Sequence, residues 1–341
     1  ISFFMKIEEN ASLLPYNTFG IDVRCRRLVV FEEFTEAMLY CAETGFGTET
    51  PIVIGGGSNI VFTSDIERTV VLMRNREIRL WDKGDHLLVE AEAGVVWADF
   101  VDYCIDHGWY GLENLAGIPG TVGASAVQNI GAYGTEAKDL ILRVKTCSLA
   151  GGYPCSYENA DCRFGYRTSR FKDPTEEPCL VLSVLFRLKK DFTPKLSYRG
   201  LSEALAKKGI TVPTARQVAD TVVELRNAKL PDPKVVGSAG SFFKNPIMPE
   251  SQRDALLKDY PDLVSFPIDE SSCKLAAGWL IERCGWKGKS LGRAGVWDKQ
   301  ALVLCNRGGC TGQEVKALAE AIQKDVHERF GVQLEPEAII I

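Results

Sequence analysis

The sequence predicts an α+β or mixed α/β chain with two sheet-bearing parts, a proline-marked junction and a smaller domain beyond it. Three observations carry this. Short apolar runs of strand character alternate with amphipathic helical stretches through the first half of the chain. Two capping boxes, Thr214 to Gln217 and Thr311 to Glu314, open later helices. Between them "KLPDP" (229–233) sets two prolines where a helix must stop.

The elements follow in order. Phe34, Ala37, Met38 and Cys41 recur at helical spacing and predict an amphipathic helix over 32–43. "TPIVIGGGSNIVF" (50–62) reads as a strand, a glycine turn and a second strand, and "RTVVLM" and "HLLVEAEAGV" read as further strands. Trp97, Phe100, Val101 and Cys104 line one face of a helix that Gly108 can cap. Residues 111–134, rich in Gly and Pro, read as a long loop region; apolar residues throughout argue against a linker. "LILRVKTCSL" and "PCLVLSVLFRLKK" make 141–190 a region of strands. From Thr214 a helix carries Val218, Val222 and Leu225 on one face, runs toward Arg226 and ends before "KLPDP". A helix over 273–285 ("CKLAAGWLIERCG") and a strand over 300–306 ("QALVLCN") follow. The helix from Thr311 turns Val315, Leu318, Ala319, Ile322 and Val326 inward, and "GVQLEPEAIII" closes as a strand-like tail.

The bulk numbers bound the function. At ~100–200 residues per domain, 341 residues predict two or three domains. A net charge of −5 supplies no basic field for nucleic acid. The eleven cysteines contain no Cys-x-x-Cys and show no metal-site spacing, so they read as reduced, mostly buried small hydrophobes and no metal is expected. No apolar run approaches the ~18 residues of a membrane span. "ISFFMKIEEN" turns acidic too soon for a signal peptide, so a cytoplasmic protein without membrane insertion is expected.

Four stretches can carry chemistry. Gly55, Gly56, Gly57, Ser58 and Asn59 follow a strand and precede another, so they fit neither a Gly-x-Gly-x-x-Gly turn nor a P-loop. A tight turn explains them, and so does a nest of amides for an anion. "ENLAGIPGTVGASAVQNIGAYG" (113–134) brings Gly117, Gly120, Gly123, Gly131 and Gly134 together with Pro119, and its backbone can lie against a flat ligand. Two such loops can clamp a dinucleotide, and a purely structural loop of this length is unusual. In "CRFGYRTSRFK" (162–172), Arg167 is either part of a solvated basic strand or a bidentate carboxylate clamp. In "GSAGSFFKNP" (237–246), Ser241 lies in no Gly-x-Ser-x-Gly elbow. The three histidines, His86, His107 and His327, are near no serine-rich elbow, so a Ser-His-Asp hydrolase is not expected. If Ser241 does chemistry, it does so as a proton donor.

In this order and spacing, "NTFGI" (17–21), "GGGSNIVF" (55–62), "GLENLAGIPGTVGASAVQNIGAYG" (111–134), "CRFGYRTSRFK", "KLPDPKVVGSAGSFFKNP" (229–246), "KLAAGWLIE" (274–282) and "LEPEA" (334–338) resemble the UDP-N-acetylenolpyruvoylglucosamine reductase family over nearly the whole chain. "LSYRGL" matches the longer of its two forms. The resemblance implies a two-lobed FAD-binding domain of the vanillyl-alcohol-oxidase type and a C-terminal α+β substrate-binding domain. It divides the chain into 12–80 and 81–226 as FAD lobes, 227–330 as substrate domain, and 331–341 as a tail carrying Glu337. It implies FAD as cofactor, NADPH as hydride donor and UDP-N-acetylglucosamine enolpyruvate as substrate, in an enzyme expected to be monomeric. The catalytic matches are Ser241, proton donor to C2; Arg167, on the substrate carboxylate; and Glu337, which can stabilise the enolate if protonated. Gly55, Gly56, Gly57, Ser58, Asn59, Gly117, Pro119, Gly120, Gly123, Ala124, Ser125, Gln128, Asn129, Gly131 and Tyr133 match the cofactor loops. Tyr198, Lys229, Asn245 and Gln300 match substrate contacts. Outside the motifs, Tyr198 reads as a surface aromatic and Lys229 as a solvated helix end. Two other functions are weighed against this one. Another flavin oxidoreductase of the same fold would not need "GSFFKNP", Arg167 and Glu337 together; a nucleotide-sugar binding module would need no flavin.

Overall fold

A computed structural model describes residues 5–47 and 49–341; the first four residues of "ISFFMKIEEN" lie outside it. The chain forms two compact units. The first takes the chain up to Ala11, Arg24–Gly56 and Ile66–Arg226; the second takes Ser12–Val23, Gly57–Asp65 and Asn227–Ile341. Two short N-terminal segments therefore belong with the C-terminal part of the chain, and the passage from one unit to the other falls inside the glycine turn, between Gly56 and Gly57.

The first unit holds two sheets. One is ordered Lys6–Ser12, Arg24–Phe31, Ile66–Met73, Ile52–Ile54, and its last three strands run parallel. Parallel strands are covered on both faces, which is why Leu28 to Phe31 and Val70 to Met73 are unbroken buried runs. Helix Phe34–Glu43 buries Ala37, Tyr40 and Cys41. The other sheet is antiparallel, in the order Pro154–Glu158, Ile141–Ser148, Cys179–Leu188, Leu87–Glu92, Ile78–Asp82. Helix Trp97–Asp106 buries the predicted face, and its Trp97 and Phe100 rings sit 6.0 and 5.1 Å from Phe186. The indole N–H of Trp97 is not wasted in that core; it donates to Leu115 O at 2.9 Å.

The second unit holds an antiparallel sheet ordered Ser238–Ser241, Val303–Asn306, Ala294–Val296, Ser290–Leu291. A three-stranded sheet (Ile247–Pro249, Ser272–Leu275, Ser265–Pro267) and helices Glu250–Asp259, Ala277–Arg283 and Gly312–Phe330 complete it. The tail strand Ile339–Ile340 pairs in parallel with Ile60–Val61, the short strand that follows the glycine turn.

Three expectations are corrected. The loop expected over 111–134 contains helix Val122–Gln128, capped by Thr121 and closed by Asn129 at φ +45°; its Gly and Ala content hides helical spacing. The helix expected over 273–285 begins only at Ala277, because Cys273 to Leu275 pair with strands Ile247–Pro249 and Ser265–Pro267 in the three-stranded sheet. The strand expected over 300–306 begins only at Val303, since Gln300 turns the chain by accepting the Leu302 amide. Strand Ile78–Asp82 and helix Arg199–Lys207 have no counterpart in the sequence reading. Eight of the eleven cysteines are buried as free thiols, and burial pushes those of Cys162 and Cys310 up to about 12.

Both capping boxes form; Thr311 Oγ1 accepts the Glu314 amide while Glu314 accepts that of Thr311. The Thr311 amide and Arg293 hold the Glu314 carboxyl down to about 2. Being depressed in the folded state, this group contributes fully above its unfolded value of about 4.3 and loses its contribution as pH falls toward 2. Thr311→Ala is expected to destabilise the second unit by ~1 kcal/mol, read as a lowered urea midpoint without a changed slope.

Candidate active site

In the first unit the two glycine loops touch backbone to backbone. A Cβ on Gly56 would stand 2.9 Å from Gly120 Cα, and one on Gly55 would stand 2.7 Å from Thr121 Oγ1. Only glycine permits that approach. Beyond the contact, Val122 and Gly123 donate their amides to Val95 and Ala93. The adjacent amides of Gly120 and Thr121 donate to no acceptor among the described residues. Two free donors in succession, beside a backbone stripped of side chains, suit an anionic group such as a pyrophosphate.

The helix inside the second loop braces its surroundings through its end. Asn129 directs Nδ2 at Gly165 O (2.8 Å) and Glu136 (3.2 Å), while its Oδ1 accepts the Lys138 amide at 3.0 Å. Its side chain is therefore fully engaged within the protein. Gln128 likewise accepts from Lys172 at 2.9 Å, and Ser125 donates to Val122 O at 2.6 Å. Asn129 thus anchors a tight turn in which Gly165 and Thr168 exchange backbone bonds. Arg167 is the third residue of that turn, at φ +56°, where a type II turn takes Gly or Asn. A side chain there costs about 1–3 kcal/mol, so its guanidinium is held by a strained backbone. Arg167 donates to Gly131 O at 2.7 Å.

Tyr133 is also in the left-handed region, at φ +46°. Asn114 secures it by donating both to Tyr133 O (2.8 Å) and to Lys195 O (2.9 Å). That tie accompanies an edge-on contact between the Tyr133 and Tyr198 rings, 5.1 Å apart. Burial raises the Tyr133 phenol, and Arg226 opposes that shift. Arg226 is a residue that sequence reasoning missed. It is half-buried, donates to Gly117 O at 3.1 Å, and is pushed below its ordinary value by burial and by the like charge of Arg167. The signal for it was an arginine four residues past Val222, where helical spacing calls for an apolar side chain.

The second unit assembles the other half of the predicted set. Thr18 of "NTFGI" donates its amide to Gly57 O (3.0 Å) and its hydroxyl to Ser238 O (2.7 Å). Gly57 needs φ +63°, and a Cβ there would strike Tyr16 O at 1.9 Å. Ser241 ends its strand opposite Val303. Its hydroxyl has no protein partner among the described residues, and the hydrogen bonds of His86 and His107 lie elsewhere. Phe242 and Phe243 behind it are buried, with rings 5.1 Å apart. The Glu337 amide donates to Phe242 O at 2.7 Å and the Lys244 amide to Glu335 O at 2.9 Å, so the tail is laid along the segment that follows Ser241. Lys244 finds a role in this pairing, since its Nζ meets the Glu335 carboxylate at 3.3 Å. Asn245 and Gln300 converge on one helix start: Asn245 accepts the Ala277 amide at 3.0 Å, and a Cβ on Gly278 would stand 2.9 Å from Gln300 Oε1. Lys229 is the exposed last residue of helix Ala215–Lys229. Thus Ser241, Asn245, Gln300 and Glu337 belong to one unit, and Arg167, Tyr133 and Tyr198 to the other.

Residues 232–341 match the family model for the C-terminal domain of UDP-N-acetylenolpyruvoylglucosamine reductase, and residues 32–153 match an FAD binding domain model. The UDP-N-acetylenolpyruvoylglucosamine reductase of Pseudomonas aeruginosa is 47% identical over 98% of both chains. That of Bacteroides fragilis is 45% identical over 98% of this chain and 100% of its own. The crystal structure of the Thermus caldophilus enzyme of that name shares the fold, with a TM-score of 0.69 at 23% identity over 99% of both chains.

The loop contact yields a stability test. Gly56→Ala is expected to cost ~1–3 kcal/mol in the cofactor-free chain, because the methyl meets backbone that cannot give way. A thermal midpoint unchanged from wild type would show that the two loops are not in contact.

Proposed function

The chain belongs to the UDP-N-acetylenolpyruvoylglucosamine reductase family, and from that premise we propose that it uses NADPH and FAD to reduce UDP-N-acetylglucosamine enolpyruvate to UDP-N-acetylmuramate for peptidoglycan synthesis. The observation that supports the reading is the backbone pairing of Glu335 to Glu337 with Phe242 to Lys244, directly after Ser241, whose hydroxyl has no protein partner among the described residues. The site residues fit a flavin dinucleotide: Gly55, Gly56 and Gly120 offer bare backbone, with the Gly120 and Thr121 amides facing no internal acceptor. FAD, when bound, supplies the hydride that adds to C3 of the enolpyruvyl group.

The chain's own groups handle charge and proton. Hydride addition at C3 leaves carbanion character at C2 beside the carboxylate. Ser241 donates its hydroxyl proton to C2. A serine hydroxyl is too weak an acid for ordinary acceptors, but it suffices for a carbanion. Arg167 binds the carboxylate, and its strained turn fixes the guanidinium before substrate arrives. Glu337, protonated, donates to the same carboxylate and stabilises its enolate form. Lys229, Asn245, Gln300 and Tyr198 bind the diphosphate and sugar; Lys229 does so as a point charge on a mobile stem. Tyr133 packs against Tyr198 and lines the cofactor and substrate site. We assign the enzyme to the cytoplasm, where NADPH and nucleotide sugars are found.

Ser241→Ala is expected to leave reduction of the flavin by NADPH near wild type. Reoxidation by the enolpyruvate should fall by orders of magnitude, measured as separate half-reactions by stopped-flow absorbance. Equal slowing of both halves would remove Ser241 as the proton donor.

A further inference from the structure

Glu337 is held at both of its peptide groups. Its amide donates to Phe242 O at 2.7 Å. Its carbonyl accepts from Nδ2 of Asn59 at 3.1 Å. The backbone of Asn59 grips the tail again, accepting the Ile339 amide at 2.9 Å. Two bonds from one residue therefore bracket Ala338, and the parallel ladder of Ile60–Val61 with Ile339–Ile340 starts directly beyond them. The ladder itself needs no side chain. The Asn59 amide extends it by one step, to the residue that does chemistry, with a side-chain N–H standing in for a missing backbone donor.

We propose that Asn59 is a positioning residue for Glu337: the last residue of the glycine turn sets the Glu337 carboxyl through that residue's carbonyl. The inference rests on the catalytic reading of Glu337. It gives the Asn59 side chain a task distinct from the cofactor contact its place in "GGGSN" suggests. With its amide and carbonyl both tied, Glu337 keeps only side-chain torsions, which is the preorganisation a hydrogen-bond donor to a developing enolate requires. Asn is suited to the task because it offers a donor at short reach. Asp has the same shape but turns a negative oxygen toward the Glu337 carbonyl.

The test uses the full FAD-loaded chain carrying Asn59→Asp, Glu337→Gln, or both. Asn59→Asp is expected to slow reoxidation by the enolpyruvate at least about tenfold relative to reduction by NADPH, the scale of loss that small misplacements cause. Added to Glu337→Gln, it should cause no further loss, since both changes disable one group. Amide hydrogen exchange of the 335–341 segment, read on the chain stripped of FAD, should quicken in Asn59→Asp and in Asn59→Ala. This readout holds even where a variant retains no flavin. Additive losses, or tail exchange equal to wild type in both variants, overturn the positioning role. If Glu337→Gln reoxidises like wild type, the catalytic reading of Glu337 fails and the inference falls with it. That result differs from a slow Glu337→Gln paired with an unaffected Asn59→Asp, which overturns the inference alone.

Discussion

The second unit depends on the pairing of Phe242 to Lys244 with Glu335 to Glu337. It joins residues nearly a hundred positions apart through two short backbone bonds and a bridge between Phe243 and Pro336. Each such bond contributes only about 0.5–1.5 kcal/mol net. The Lys244–Glu335 ion pair, with an exposed carboxylate, contributes little more. Burial of Phe242 and Phe243 contributes about 1.5–3 kcal/mol for each ring and outweighs both. The apolar anchors hold the strand; the hydrogen bonds set the register. Register matters most here, because a one-residue slip would turn Glu337 to the opposite face from the one it now shares with its neighbours.

The two strained residues follow the same logic in the first unit. Arg167 and Tyr133 both have positive φ without being glycine. Each is over-determined from outside: Asn129 ties down the Gly165–Thr168 turn, and Asn114 ties down the Tyr133 carbonyl. Both asparagines are buried and each makes at least two bonds. A buried amide satisfied on all sides is costly to disturb, which makes it an effective support for strain that nearby packing alone would relax.

What the sequence made legible was local. The helices over 34–43, 97–106, 215–229 and 312–330 could be read because their apolar spacing and caps are written within a few residues. The glycine loops were legible from composition as segments of close backbone approach. Helix Val122–Gln128 was not, since Gly, Ala and Ser show no apolar period. Strand Ile78–Asp82 was not, because none of its residues is fully buried and it lacks a buried face to give alternation. Cys273 to Leu275 looked helical because they precede a true helix; only pairing with distant strands makes them a strand. Ser241, Arg167 and Glu337 could be named from motifs. The tasks of Asn129, Asn114, Thr18 and Arg226 as supports of the surrounding backbone could not, because each acts on a residue far away in sequence.

The glycine turn shows why motif and role diverge. Gly55 and Gly56 are fixed by what presses on them, the backbone of Gly120 and the side chain of Thr121. Gly57 is fixed by its own φ and by the carbonyl of Tyr16. Asn59 is fixed by neither; its side chain reaches the tail. Four residues of one motif thus answer to three different constraints, and only the first concerns the bare backbone that a cofactor needs. A segment of this kind resists substitution for reasons that add up along its length. Gly56 would exclude a methyl on steric grounds even if no ligand ever bound, and Asn59 would exclude an aspartate on electrostatic grounds even if the glycines were free to change.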